Sequence, residues 1–327
     1  MNKAVPGSVA AGVAVALAIA AHHVAAQPAG AYPTKPVRMT VASGAGGGLD
    51  FVARQVAVPL SEFLGQTVVV DNRAGASGSI AAEVTAQAAP DGYTLMFLSA
   101  SLVVYGIVNK TPYDLYRDFV PISQAAAAPY MLTVFPGLPV KTVKELIAYA
   151  KANPSTLNYA STGNASLAHL AGELFAISTG TRLVHIPYKG VGAGLTDMLS
   201  GRVQMSFLSA GSVYAQVRTQ KLKAIAIASA TRAKMAPDLP TMIESGVPGF
   251  VVTQWHGVLA PRGTPRPIVE RLQREILRAV QRPDVAARLA LDGTEGIGSS
   301  PEEFGRFLRS EREQWAKVAK QASIRAD

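Results

Sequence analysis

The stretch Tyr159-Ala160-Ser161-Thr162-Gly163-Asn164-Ala165-Ser166-Leu167-Ala168-His169-Leu170 changes character twice. A short apolar strand over 157–160 runs into the small polar residues Ser161, Thr162, Gly163 and Asn164. Apolar residues then recur at Leu167, Leu170, Leu174 and Phe175, which is the period of a helix. The pattern predicts a polar loop delivered to a helix N-terminus. Unpaired backbone N–H groups and the positive end of the helix dipole make such a place a seat for an anion. A second segment of the same design lies upstream: a strand over 39–42, the loop Ser43-Gly44-Ala45-Gly46-Gly47-Gly48, and a helix over 50–64. Two such seats suggest an anion captured between two halves of the molecule.

Strand and helix signals alternate outward from both loops. In the first half, strands are expected at 68–70 and 94–98 and a helix at 80–88, with Pro59 expected to kink or shorten the first helix. A strand at 130–135 follows an alanine-rich run, and the alternation then restarts. Helices are expected at 142–152, 167–178, 194–199 and 213–219, and strands at 157–160, 183–186, 204–207 and 223–228. A proline- and glycine-rich passage leads to a strand over 251–259, and the C-terminus reads as helices over 268–280, 283–291 and 302–322. Continuous apolar strands of this kind suit a parallel sheet buried on both faces. The blocks join near 125–135 and again near 248–260. The expected fold is therefore α/β with two doubly wound lobes, a two-strand hinge and a ligand cleft between them. Open sheets of this class bind ligands beyond the carboxyl ends of their strands, where both polar loops lie.

Residues 1–26 read as a signal peptide: Lys3, an apolar run over 9–21, and Val24-Ala25-Ala26 for cleavage near Ala26. The expected product is exported, soluble and monomeric, with 27–128 and 251–327 forming one lobe and 129–250 the other. The formal charge of +9 becomes +8 on cleavage, since the leader carries one lysine and no acid. The C-terminal arginines alternate with Glu270, Glu275 and Asp284 at helical spacing, which describes a solvated face. No basic tract with interleaved aromatics is present, so nucleic acid is rejected as a partner. The chain has no cysteine, which excludes disulfides and thiolate chemistry. Beyond the leader only His169, His185 and His256 remain, without clustered carboxylates, and no metal or cofactor is expected.

Many short motifs occur in an order that resembles the extracytoplasmic solute-binding proteins of tripartite tricarboxylate transporters, the Bug or TctC family. They include Gly46-Gly47 with Asp50, Val70-Asp71-Asn72-Arg73, Pro90-Asp91-Gly92-Tyr93-Thr94-Leu95, Leu157-Asn158-Tyr159-Ala160-Ser161, His169-Leu170-Ala171-Gly172-Glu173, Pro187-Tyr188-Lys189-Gly190 and Gly263-Thr264-Pro265. The resemblance covers nearly all of the chain after the leader. It implies a periplasmic receptor, not an enzyme, that presents a small carboxylate to membrane transporter subunits. It places the ligand against the loops 43–48 and 161–166, with Tyr188 and the end of the 204–207 strand as further wall. The residues this implies are Ser43, Ala45, Gly46, Gly47, Ser99, Ser161, Thr162, Gly163, Asn164, Ser166, His169, Tyr188 and Leu208. Many family members place an aspartate after that strand, where this chain has Leu208 and Ser209. Without a partner for a ligand ammonium, a dicarboxylate or aromatic acid is favoured over an amino acid.

Competing readings exist for several of these residues. The first glycine loop imitates a dinucleotide fingerprint, but Leu49 stands where a third glycine would be needed for helix–strand packing. Ser161, Thr162, Asn164 and Ser166 could be ordinary caps and turn residues. His169 could face the cleft or be buried and structural. His256, beside Trp255, is a candidate for the hinge or cleft edge. Asp50 reads as a helix cap, and Lys189 as either a cleft cation or a solvated turn. The alternatives of another class are an exported hydrolase using a serine of the second loop with His169 as base, or a ligand sensor for a signalling partner.

Overall fold

The computed structural model describes Met1, residues 32–291 and residues 293–325. The expected leader and its cleavage position lie, Met1 apart, outside the described residues. From Pro33 onward the chain forms one compact unit. In chain order its elements are β1 (Val37–Val41), α1 (Gly48–Leu64), β2 (Val68–Asn72), α2 (Ser79–Ala86), β3 (Thr94–Ser99), α3 (Ala100–Val108) and β4 (Phe119–Val134). There follow α4 (Val143–Ala152), β5 (Asn158–Ser161), α5 (Leu167–Thr179), β6 (Val184–Pro187), α6 (Val191–Leu199), β7 (Met205–Ser209), α7 (Ala210–Arg218) and β8 (Lys223–Ile227). The chain finishes with β9 (Thr253–Pro261), α8 (Arg266–Gln281), α9 (Pro283–Leu291), β10 (Glu295–Gly296) and α10 (Pro301–Gln321).

The strands run β2-β1-β3-β9-β4-β7-β5-β6, with β8 and β10 also pairing β4. Each half keeps a parallel core: β2, β1 and β3 in one, β7, β5 and β6 in the other. The expected parallel pairing holds within each half, but the strands that join the halves are antiparallel. β9 is antiparallel to β3 and to β4, and β4 is antiparallel to β7 and β8. The reason is topological: a chain that leaves one half and later returns must cross in both directions.

β4 carries the outward crossing. From Phe119 to Pro129 it pairs with β9, and from Tyr130 onward it pairs with β7 and β8 on its two sides. The return passes through Val252, whose N–H donates to Ala228 O (2.7 Å) and whose carbonyl accepts from Tyr130 N–H (3.1 Å). β4 is far longer than the strand expected at 130–135, because the alanine-rich run that precedes it is strand as well. Register shifts flank Ser123 and Gln124, where the strand bends past Pro121.

One local expectation also changes, and one helix is added. α1 runs through Pro59 to a left-handed Gly65 cap, because buried Val56, Leu60 and Leu64 on the same face hold the helix against the core. The valine-rich stretch that forms α3 gives no clear sequence signal, yet it is helical, with Leu102, Val103 and Val104 buried. Alternation along β9 turns Trp255 onto α10, where buried Glu311 accepts from the indole N–H groups of Trp255 (2.7 Å) and Trp315 (3.1 Å). Its neighbours Gln254 and His256 therefore face the other way.

Candidate functional site

A cleft of about 560 Å³ lies at the carboxyl ends of β1, β3, β5 and β7. Four helices begin at its wall. α1 contributes Gly48 and Leu49, α3 its cap Ser99 and Ser101, α5 its cap Ser166, and α7 its cap Ser209 with Gly211 and Ser212. The crossing strands contribute Ala128, Gln254 and His256. None of the lining residues is Lys, Arg, Asp or Glu. The electrostatics of the cleft therefore come from backbone dipoles and hydroxyls: several N-termini, each with partial positive charge, converge on one uncharged space. No side chain caps α1, α3 or α7.

The first loop is shaped by Asp50 in the opening turn of α1. Its side chain is buried, and Oδ2 accepts from Gly46 N–H (2.8 Å) and Arg54 Nε (3.0 Å). Oδ1 accepts from Asn72 Nδ2 (2.9 Å), and the same Asn72 nitrogen donates to Ser43 O (3.2 Å). Burial pushes the carboxyl up, but the hydrogen bonds from Arg54, Gly46 and Asn72 outweigh it and hold the group below its ordinary range. Asp50 is thus a brace as well as a dipole-complementing residue. It also engages the Gly46 amide, which was expected to serve the ligand.

The second loop is shaped from behind by two histidines. The rings of His169 and His185 stack at 3.7 Å and 11°. Ala165 N–H donates to His169 Nδ1 (3.1 Å), and Ser161 Oγ lies 2.6 Å from His185 Nε2. Tyr159 flanks His185 at 5.0 Å, and its hydroxyl donates to Glu173 Oε1 (2.6 Å). Burial pushes His185 down to about 4; burial and the neighbouring His185 do the same to His169. Gly163 holds φ +130, a conformation that only glycine adopts readily. Ser166 caps α5 by accepting from His169 N–H (3.2 Å).

Of the residues expected at the site, Ser43, Ser99, Thr162, Asn164 and Ser166 line the cleft. Ala45, Gly46 and Gly47 lie in the exposed part of the first loop, outside the lining. Ser161 is 2 % exposed, and its hydroxyl is tied to Gly163 and His185 instead of facing the cleft. Gly163 and His169 sit in the support of the second loop. The Tyr188 hydroxyl donates to Asp197 (2.8 Å), away from the lining. Leu208 is buried in β7, and the next residue, Ser209, reaches the cleft. Lys189 is exposed and does not line it. Sequence reasoning missed Ser77, Ser101, Ser209, Ser212, Gln254 and Thr294. Ser101, Ser209 and Ser212 were findable as hydroxyls at the starts of helices after strands. Ser77 and Thr294 carry no such signal, since long-range folding brings them there.

The hydrolase alternative named His169 as the base for a serine of this loop. His169 instead accepts from a loop amide, and the serine in contact with a histidine is Ser161, which is outside the cleft lining. Among the described residues no group of three His, Asp or Glu side chains is placed to hold a metal ion, and no helix is long and apolar enough to cross a membrane.

The model of the tripartite tricarboxylate transporter family receptor matches residues 52–324. Protein BugT of Bordetella pertussis is 37 % identical over 297 residues, covering 90 % of this chain and 91 % of BugT. Among solved structures, R. palustris Rpa4515 with adipate is 35 % identical with a TM-score of 0.76, covering 90 % of this chain and 99 % of its own. MatC from Rhodopseudomonas palustris with bound malate is 30 % identical with a TM-score of 0.73, covering 88 % and 99 %. These relatives share the two-lobed binding-protein fold. The chain belongs to the tripartite tricarboxylate transporter receptor family, and it is a solute-binding receptor, not an enzyme.

Proposed function

We propose that this receptor captures a small carboxylate in the periplasm, by closure of two lobes, for transporter subunits of the tripartite tricarboxylate type. Among the described residues the lobes of this reading are 33–128 with 253–291 and 293–325, and 129–250, hinged where β4 and the return through Val252 cross. The observation that carries the reading is the convergence of four helix N-termini on a cleft without a charged side chain. One carboxylate seated there takes N–H and O–H bonds from both halves. Each such bond to a charged group contributes roughly 1.5–3 kcal/mol net, so a handful reaches the roughly 8 kcal/mol of micromolar affinity. The cavity volume suits small acids.

The uncharged lining also bears on ligand class. An amino acid would bring an ammonium into a cleft with no carboxylate to receive it, which costs desolvation without compensation. We therefore favour a dicarboxylate or an aromatic acid. Relatives solved with adipate and with malate support the acid reading. Titration calorimetry against a panel of dicarboxylates, aromatic acids and amino acids tests it. Micromolar binding of an acid is expected; binding of aspartate or glutamate with none of plain carboxylic acids overturns it.

A further inference from the structure

The three described histidines divide into two kinds. His169 and His185 have ring nitrogens in hydrogen-bond contact and stand behind the second loop. His256 lines the cleft, is 5 % exposed, and has an Nδ1 with no hydrogen-bond partner in the protein. It lies on β9 between Ser99 of β3 and Ala126 of β4, with Gln254 on the same face. Its ring stacks on Phe97 (6.2 Å, 13°), which fixes the imidazole plane. An orphaned buried polar atom is destabilising, and native proteins rarely keep one without a use.

We infer that His256 is the specificity-determining residue of the cleft: its unpartnered ring nitrogen hydrogen-bonds a second oxygen-bearing group of the ligand, apart from the carboxylate held at the helix N-termini. This rests on the carboxylate reading above and narrows it. A ligand whose far end is only hydrocarbon leaves the nitrogen orphaned, whereas a terminal carboxylate or hydroxyl satisfies it. Burial holds the ring neutral, at about 4, so it acts through a directed hydrogen bond and not as a cation. A neutral imidazole offers one donor and one acceptor, which accommodates either oxygen group.

The test compares straight-chain acids from butyrate to octanoate with their terminally hydroxylated counterparts and their diacids, by calorimetry on the full mature protein. Wild type should bind the best oxygen-terminated acid about tenfold to a hundredfold more tightly than the monoacid of equal length, one hydrogen bond's worth. His256→Phe keeps an aromatic ring beside Phe97 and should collapse that preference, so that oxygen-terminated acids and monoacids of equal length bind within about twofold of each other. His256→Asn, whose side-chain amide can stand in for the ring nitrogen, should restore most of it. Whether the hydroxy acid or the diacid leads in wild type identifies the second group. Equal affinity for monoacids and oxygen-terminated acids in wild type overturns the inference. So does His256→Asn showing no preference while folded, or His256→Phe weakening both ligand types alike. Failure of wild type to bind any carboxylate overturns the site reading and this inference with it.

Discussion

The two polar loops at the cleft do the same job with opposite chemistry. The first is exposed and braced by an ionised carboxylate, Asp50, shared among Gly46, Asn72 and Arg54. The second is backed by a stacked pair of neutral histidines under Tyr159. Both lead directly into a helix start at the cleft. The difference teaches that an anion cradle can be stiffened either by a buried, fully hydrogen-bonded charge or by a half-buried stack of neutral rings. It also means that acid should attack the two loops in sequence.

The largest expected effect follows from that contrast. His169, His185 and His256 are each pushed down to about 4, below the ordinary value of 6.5. The unfolded chain takes up protons below about 6.5 that the folded protein refuses, so stability falls as pH drops toward 4 and levels off below it. Each ring accounts for at most about 3 kcal/mol. Asp50, held low, has the opposite sign: its contribution is present above the unfolded carboxylate range and is lost only as pH falls through its depressed value. Denaturant titrations between pH 7 and pH 3, at roughly half-unit steps, should therefore show the histidine-dependent loss first. A flat profile between 6.5 and 4 would contradict the neutral state of these three rings.

Removing the first brace comes next. Asp50→Ala strips three hydrogen-bonded partners from one carboxylate; it should cost about 3 kcal/mol of stability and weaken ligand binding at least tenfold. Unaltered affinity would show that the first loop holds its shape without Asp50. Gly163→Ala forces a side chain into φ +130 and should cost about 1–3 kcal/mol, seen as a lower melting temperature together with weaker binding. Ser161→Ala sits at the small end. Because its hydroxyl bonds His185 and Gly163, it should lower stability by about 1 kcal/mol and change affinity less than Asn164→Ala, which lines the cleft. Equal binding losses in the two variants would place Ser161 against the ligand after all.

Much of this was legible from residue order. Strand–loop–helix units with glycine and hydroxyl residues at the joints are local patterns, and Thr162, Asn164 and Ser166 follow from them. The parts that failed to show depend on partners far away in the chain. Whether Ser161 faces the cleft or His185 depends on how β5 sits against β6. That Ser209 rather than Leu208 reaches the ligand space depends on which face of β7 packs inward.

Periodicity, turn chemistry and the small polar residues between strand and helix are local properties, and from them came the α/β class, the position of both loops and the expectation of an anion. The mixed sheet, the sixteen-residue crossing strand and the meeting of Gln254, His256 and Thr294 with polar loops more than eighty residues away in sequence arise from packing. Long-range pairing of β4 with β9, β7 and β8 places them, and no local stretch encodes which neighbour a strand will find.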